Sequence, residues 1–582
     1  MKKSIIGLLC VGALMLATTS CSDIFDINSN RVVYEKYNSL DSSADSVYSI
    51  IGILQGLQEL ADRYVILGEL RGDMVDVNDL TKTSLRNISE FNFEDDNEYL
   101  QVRDYYNVIN NCNYLLTHMD TTIRHNNEAV MVDEYVAALS IRAWTYLQLA
   151  INYGKVPYYT NPVTTVAEAE ADYPMYDVKD IARELIPQLL PYMKYKMPIW
   201  PGLTAGSTTV TNQIFPPIEL ILGDLYLWLG DYQNAWNTYF DYLTDNPDYY
   251  MTTSTGNRYE GFLPLGPGQF TTTSKQTTAS YKGSALYTSY LTTIMGKGSE
   301  ALCIIPMQAT NEDGKLSEVP SLFYSTDGTH QLVGSELWYE LSEAQDYIYT
   351  TSSSTALKKN YSILEGKGDQ RAQYYTYKYQ TEENEYTAIR KFQSGSKSNG
   401  TEVIYTTNFI VLYRRAGVYL RAAEALNRLA YQTHDAEKAM KAFGILRDGF
   451  DFLLEAYPSA STYKEDIQPN TLGVHARGCG DVYLDTASYV VKDEVIAKFY
   501  DKEIEELTFK DTIDYVEDRI VNEIALEMTF EGNRFTDLVR IAEHRGPEYL
   551  AKKIASRKGT ENFDEALYQK LLDKQNWYLP LE

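Results

Sequence analysis

The feature that most constrains the fold is a series of long segments with helical periodicity, interrupted by one long stretch without it. In these segments apolar side chains recur every three to four residues, a spacing that places them on one face of a helix. The predicted helices cover residues 45–70, 99–120, 134–154, 176–193, 218–243, 413–430 and 435–450 of the 582-residue chain. The pattern predicts a mostly α-helical protein.

Two of these regions contain a helix–turn–helix pattern. In "LGDYQNAW", residues 229–236, Gly230 and Tyr232 fall at the bend and Ala235 is the small residue at the helix contact. This pattern is similar to a tetratricopeptide unit. Residues 413–430 and 435–450 form a second such pair. We therefore expect tetratricopeptide-like helical pairs within two helical blocks, residues 40–250 and 405–545.

The intervening stretch, about residues 251–334, is rich in Thr, Ser, Gly and Tyr. Within it only "EALCIIPM", residues 300–307, has the pattern of a buried strand. Long irregular segments are usually functional when they are ordered, and the interleaved aromatic residues favour order. We expect an ordered, irregular insert with a functional role. A second polar stretch, residues 393–401, is predicted to be a solvated loop.

Candidate binding residues combine aromatic rings, which offer apolar faces, with groups that donate or accept hydrogen bonds. The loop "ELRGDMVDVNDL" after the first helix is dense in polar groups, although a solvated loop or a helix cap would have the same composition. It also permits a calcium site built from Asp oxygens, but no EF-hand pattern is present. Trp338 lies in a helical pattern that also suits the core. The candidates are Arg71, Asp73, Asp76, Asn78, Trp200, Tyr287, Tyr290, Tyr324 and Trp338.

The N-terminus has the pattern of a lipoprotein signal peptide. Lys2 and Lys3 precede a short apolar segment, residues 4–17, and then "TTSCSD". The last motif resembles the bacterial lipobox, with Thr18 where Leu is usual. We predict cleavage after residue 20, diacylglycerol and palmitate on Cys21, and attachment to a membrane surface. An ordinary secretory signal with a chance cysteine is the alternative.

Composition argues against several functions. The net charge of −28 opposes binding to nucleic acid. The sequence has no HExxH, GxSxG or Walker motif, and its six His residues form no metal-ligand pattern. With 80 acidic residues, no single carboxylate pair identifies a glycosidase. We predict no catalytic residue, no metal site and no cofactor apart from the lipid.

A ladder of charge occupies "EIALEMTFEGNRFTDLVR", residues 523–540. Its carboxylates recur every four residues before Gly532, and Arg534, Asp537 and Arg540 follow at three-residue spacing. Since residues three or four apart share a helix face, an active site and a structural ion network are the two interpretations. The bulky apolar residues between the charges favour the network, with Arg534 bound to Asp537 or Glu531.

The same stretch resembles the C-terminal signature of the SusD/RagB family. Ile524 and Met528 depart from that signature. The matching residues are Glu523, Glu527, Glu531, Gly532, Arg534, Asp537, Leu538 and Arg540. Further segments resemble the family in the same order: "RDYYNVINNCNYLL", "AALSIRAWTYLQLAINYGKVPYY", "GDQR", "IVLYRRAGVYLRAAEALNRLA" and "WYLPLE".

The resemblance implies a SusD-like α-superhelix, with residues 21–582 forming one domain. In such a fold an irregular half of loops and short strands, here with the insert at about residues 251–334, carries the ligand face together with the loop after the first helix. It also implies a non-catalytic lipoprotein exposed at the outer-membrane surface. Such a protein captures oligosaccharides and delivers them to a SusC-type TonB-dependent transporter for import. A RagB-like peptide-binding protein with the same transporter, an enzyme, and a purely structural adaptor are the alternatives. In the family, the charged residues of the signature are structural.

Overall fold

The structure is a computed structural model of the chain. It describes residues 43–200, 211–245, 301–307, 315–325, 327–350, 361–364, 368–380, 385–398, 401–406, 409–448, 473–479 and 489–581. The signal peptide, Cys21, Tyr287, Tyr290 and most of the insert lie outside the described residues.

Helices dominate the described residues, as the sequence predicts, and their apolar faces meet in one continuous core. The first half contains α1 (Ser43–Leu70), α2 (Thr83–Ser89), α3 (Val102–His118), α4 (Val132–Tyr153), α5 (Val166–Ala169), α6 (Val178–Leu189), α7 (Ile218–Leu229) and α8 (Tyr232–Asp245). Later come α9 (Val319–Phe323), α10 (Glu336–Glu343), α11 (Gln370–Tyr375), α12 (Arg415–Thr433), α13 (Ala436–Asp448), α14 (Ala476–Cys479), α15 (Asp493–Tyr500), α16 (Phe509–Met528), α17 (Arg534–Arg545), α18 (Pro547–Ala555) and α19 (Glu565–Leu571).

The two predicted helix pairs are confirmed. Helix α7 ends at Gly230, which adopts a left-handed conformation (φ 74°), and α8 begins two residues later. Ala235 is fully buried where the two helices pack. In the second pair, α12 packs on α13 across His434, whose φ is 50°. The predicted helix boundary at residue 413 is displaced, because strand pairing extends to Arg414 before α12 begins.

The strands are short and antiparallel, and each described sheet has two strands. The pairs are β1 (Val75–Val77) with β7 (Leu332–Gly334), β2 (Arg124–His125) with β3 (Glu128–Ala129), β4 (Val156–Pro157) with β5 (Met175–Tyr176), β6 (Ala301–Pro306) with β14 (Phe409–Arg414), β8 (Tyr347–Thr350) with β9 (Tyr361–Leu364), β10 (Thr376–Gln380) with β11 (Glu385–Ile389), and β12 (Gln393–Ser398) with β13 (Thr401–Thr406).

The strands correct two boundary predictions. The predicted buried strand at residues 300–307 is confirmed as β6, which pairs with β14 across more than 100 residues of chain. However, the loop-and-strand region does not end near residue 334, because strands continue to Arg414. The polar stretch at residues 393–401 is a β-hairpin and not a loop. Its small polar residues lack the alternation of apolar and polar side chains by which a strand is recognised in sequence.

The charged signature spans the end of α16, a tight turn, and the start of α17. In the turn, Phe530 and Gly532 have φ values of 73° and 94°. The carboxylate of Glu69, near the end of α1, accepts hydrogen bonds from both of their backbone N–H groups, at 2.9 and 2.7 Å. Burial raises the pKa of Glu69 to about 7, against the lowering effect of these N–H donors. The turn is thus fixed against the first helix of the chain.

The carboxylates of the signature are buried and paired. Glu523, Glu527 and Glu531 are each at most 3% exposed. Arg414 donates to Glu527 and Glu531 at 2.7 Å, and Arg371 donates to Glu527 at 2.7 Å. The sequence prediction of a structural ion network is therefore confirmed.

Candidate ligand-binding site

Arg71, a predicted ligand residue, is buried just after the end of α1. It donates to the carbonyl oxygens of Leu67 at 3.0 Å and Trp577 at 3.1 Å, and its guanidinium lies 4.0 Å above the Phe535 ring. Burial lowers its pKa to about 9. Because no part of this side chain is exposed, the structure corrects the ligand prediction: Arg71 joins the first helix to the C-terminal region.

Asp73 is also fully buried and forms a two-pronged ion pair with Arg534, at 2.5 and 2.9 Å. Burial favours a higher pKa for Asp73, but the charge and hydrogen bonds of Arg534, together with the charge of Lys553, outweigh it and hold the pKa below its usual value. The pair corrects two predictions. Asp73 is structural, and the partner of Arg534 is Asp73, whereas Asp537 binds Arg540 and Glu531 binds Arg414.

Asp76 and Asn78, further along the same loop, are half-buried at the molecular surface. Asp76 lies in β1, opposite Val333 of β7. Asn78 donates from Nδ2 to the carbonyl oxygen of His330 at 2.9 Å, and Thr81 donates from Oγ1 to the carbonyl oxygen of Gln331 at 2.5 Å. The polar loop is therefore held against residues 330–331, about 250 positions away in sequence.

His330 connects this loop to the β10–β11 hairpin. Its side chain is buried, and its Nε2 lies 3.0 Å from the carbonyl oxygen of Thr387 in β11. Burial lowers the pKa of His330, which the contact with Thr387 partly offsets. The neutral ring can donate this hydrogen bond. The buried His330 thus connects Asn78 to β11 beneath the surface.

The hairpin carries an aromatic and cationic cluster. Tyr377 of β10 lies 5.7 Å from Tyr324 between ring centroids. The guanidinium of Arg390, directly after β11, lies 4.2 Å from the centroid of the Tyr377 ring and 5.7 Å from that of Tyr324. Tyr377 and Arg390 are half-buried, while Tyr324 is 5% exposed. We call Asn78, Tyr324, Tyr377 and Arg390 the ligand face.

Trp338 does not belong to the ligand face. Its side chain is fully buried, and its ring meets that of Phe530 edge-on at 5.1 Å. The prediction that Trp338 contacts a ligand is corrected, because the helical pattern of α10 points it into the core. It packs against the same signature turn that Glu69 holds.

Trp200 is half-buried and lies elsewhere. Its Nε1 donates to Glu134 at 3.0 Å, near the start of α4. Arg71 instead contacts Asn152, near the end of α4. Eighteen residues of helix separate these two contacts, or about 27 Å at 1.5 Å per residue. The structure therefore does not bring Trp200 to the end of α4 that contacts Arg71, the residue at which the polar loop begins.

Comparison with solved structures identifies the architecture. Among the similar structures are the surface glycan-binding protein A of Bacteroides uniformis (16% identity, TM-score 0.55, 93% of this chain and 96% of that one) and a SusD-like carbohydrate-binding protein of Bacteroides fragilis (16% identity, TM-score 0.55, 89% and 88%). A SusD superfamily protein of Bacteroides thetaiotaomicron is also similar (18% identity, TM-score 0.52, 86% and 89%).

The chain has the SusD-like fold. The likeness covers most of each chain. By sequence, no protein-family model matches the chain, and no curated protein matches it either. At these identities the structural likeness establishes the architecture and leaves the ligand to the chain's own residues.

Two residues of the ligand face escaped the sequence analysis. Tyr377 and Arg390 lie beyond the predicted insert, in a stretch we assigned no role. The alternation of Tyr375, Tyr377 and Tyr379 in "YYTYKYQ" is a strand signal that would have drawn attention to Tyr377. Arg390 has no comparable signal, since only the folded hairpin places its guanidinium over the Tyr377 ring.

The described residues contain no group of three or more His, Cys, Asp or Glu residues placed to hold a metal ion. None of the helices that the structure describes has the length and apolar character needed to span a membrane. Cys112, Cys303 and Cys479 are buried and unbridged, as expected of isolated cysteines.

Proposed function

We propose that this protein is a cell-surface glycan-binding lipoprotein that captures oligosaccharides without cleaving them. It delivers them to a SusC-type TonB-dependent transporter for import. The lipid on Cys21 anchors it to the outer membrane. The transporter and the lipid anchor follow from the sequence resemblance and the lipobox.

The observation that carries the proposal is the cluster of Tyr324, Tyr377 and Arg390. The C–H face of a sugar ring packs on an aromatic ring, as Tyr377 can offer. The guanidinium of Arg390 lies 4.2 Å from the centroid of that ring, and a guanidinium is a planar donor group that suits the paired oxygens of a sugar. Because Arg390 is positioned by the ring, little side-chain entropy is lost when a ligand binds.

The similar structures support the same ligand class. Two of the three described above are named as a surface glycan-binding protein and a SusD-like carbohydrate-binding protein. We extend that ligand class to this chain because Tyr377, which is half-buried, and the neighbouring Tyr324 lie in the loop-and-strand half of the same fold.

The arrangement of carboxylates favours binding over hydrolysis. A glycosidase needs two carboxyl groups facing the substrate across a cleft. Glu523, Glu527 and Glu531 are instead buried and ion-paired within the protein. They are therefore scaffold for a binding protein.

The experiment is a binding screen of the chain from Ser22 onward, by affinity electrophoresis and calorimetry against a panel of polysaccharides and peptide digests. We expect one glycan class to bind without release of reducing sugar. Replacing Tyr377 with Ala should weaken that binding about tenfold or more, equivalent to ~1.4 kcal/mol. The matched control is Tyr431→Ala, at a tyrosine 37% exposed on helix α12.

Each outcome of the screen bears on the proposal. Equal losses from the Tyr377 and Tyr431 substitutions would place the glycan away from the ligand face. Binding of peptides alone would favour the RagB-like alternative. Release of reducing sugar by the purified chain would contradict a non-catalytic role.

A further inference from the structure

The β10–β11 hairpin, which carries Tyr377 and bears Arg390 at its end, is anchored to helix α16 on both sides. Before it, α11 contains Arg371 and runs directly into β10. After it, Lys391 directly follows Arg390. Both cations are fully buried against the carboxylates of the signature. A two-stranded hairpin has little stability of its own, so its position depends on what holds its base.

The first anchor is Arg371. Its guanidinium lies 2.5 Å from Asp369, 2.7 Å from Glu523 and 2.7 Å from Glu527. Burial favours a lower pKa for Arg371, but the surrounding negative charge holds the pKa well above its usual value. Asp369 also caps α11 by accepting from the backbone N–H of Arg371 at 2.8 Å. The entry to β10 is therefore fixed by a charged and fully bonded group.

The second anchor is Lys391. Its ammonium group pairs with Glu531 and donates to the carbonyl oxygens of Glu527 at 3.1 Å and Thr529 at 2.8 Å. Burial lowers its pKa, and the charge of Glu531 offsets part of that shift. Glu531 also pairs with Arg414, so its charge stays balanced if Lys391 is removed.

We propose that Arg371 and Lys391 are positioning residues for the ligand face. Through them the carboxylate ladder of α16 sets where the β10–β11 hairpin presents Tyr377 and Arg390. The signature thus contributes to ligand recognition although its carboxylates touch no ligand. This inference rests on the proposed function for its consequence in binding, but its structural part is testable without any ligand.

The ligand-free test is hydrogen exchange of Lys391→Met in the chain from Ser22 onward. Amides of β10 and β11 should exchange about tenfold faster, because the hairpin opens locally while the helices stay closed. The matched control is Arg540→Met, which removes another buried cation, 6% exposed, from Glu424 and Asp537 in the helical half. This variant should leave the relative exchange of the hairpin unchanged.

The exchange results decide the structural part. Uniform acceleration over the whole chain in Lys391→Met, or none, would overturn the inference. If that variant fails to fold, Arg371→Lys replaces it, since it keeps the positive charge but loses the fork that spans three carboxylates. Selective acceleration of the hairpin in Arg371→Lys supports the proposal, and its absence contradicts it.

The binding test uses the glycan retained by the unmodified chain. Lys391→Met should raise the dissociation constant of that glycan about fivefold or more. A fivefold change is at the lower end of the coupling found between linked sites. Arg540→Met should change it less than about twofold, and a similar loss in both variants would contradict positioning. If no glycan binds any form, the proposed function fails, and the exchange result still decides whether the ladder holds the hairpin.

Discussion

The helical half and the ligand face are held together by different means. The helices are long, and each buries an apolar stripe that its own sequence defines. The ligand face lies on and beside short two-stranded sheets. The contacts that hold these sheets cross long stretches of chain, such as Asn78 with His330 and, at the base of the β10–β11 hairpin, Lys391 with Thr529. The comparison shows that the local spacing of apolar residues specifies the helical scaffold. The residues proposed to bind a glycan are instead positioned by polar contacts between segments far apart in sequence.

The largest expected effect tests whether buried ion pairs are essential to the helical half. Replacing Asp73 with Ala leaves Arg534 charged and unpaired at 2% exposure. We expect a loss of about 3–5 kcal/mol in the free energy of unfolding, measured by urea denaturation with helical circular dichroism. Lys441→Ala, at an exposed pair with Glu437, should cost less than about 0.5 kcal/mol. Equal losses would remove the distinction between buried and surface pairs.

The next effect concerns pH and the attachment of the signature turn. The pKa of Glu69 rises from 4.5 to about 7 on folding. The folded state therefore holds a proton that the unfolded state has released, and stability falls as pH rises from about 4.5 to about 7. Compared with Glu69→Gln, the unmodified protein should lose on the order of 3 kcal/mol between pH 5 and pH 8. If the free energies of unfolding of the two proteins, measured by urea denaturation, changed with pH in the same way, the pH dependence would not come from Glu69.

A smaller effect tests the close approach of α1 to the signature turn. A Cβ at Gly68 would lie 1.9 Å from the carbonyl oxygen of Gly532, which is backbone and cannot rotate away. Gly68→Ala should therefore cost about 2 kcal/mol or more in the free energy of unfolding. Gly52→Ala, on the same helix with open space around it, should stabilise by up to ~1 kcal/mol. Thermal melts of both variants would show the difference. If Gly68→Ala did not lower the stability, helix α1 and the signature turn could move apart at little cost in free energy.

The smallest effect concerns the ligand face itself. Asn78→Ala removes the hydrogen bond to His330 and the one accepted from the backbone N–H of Leu80 at 2.9 Å. We expect a loss of about 1 kcal/mol in the free energy of unfolding. Asn562→Ala, at an exposed residue bonded to Lys558, is the control and should change stability little. A loss as large as that of Asp73→Ala would erase the contrast between the two regions.

The sequence predicted most of the helical half and little of the ligand face. Helices α1, α3 and α4 begin and end within a few residues of their predicted bounds. By contrast, the hairpin β12–β13 was predicted as a loop, and Tyr377 and Arg390 were not singled out. Of the candidates in the described residues, Asn78 and Tyr324 lie on the ligand face, whereas Arg71, Asp73 and Trp338 are buried in the scaffold.

What the sequence determined by itself was the set of helices, the turn at Gly230 and the burial of the charged signature. Each depends on the spacing of apolar side chains over a few residues, which local backbone geometry converts into a helix face. Only the tertiary structure decided that Arg534 binds Asp73 and that Arg390 lies over Tyr377. The first of these pairs is 461 positions apart in sequence, and the second depends on a hairpin register, so no local periodicity encodes either.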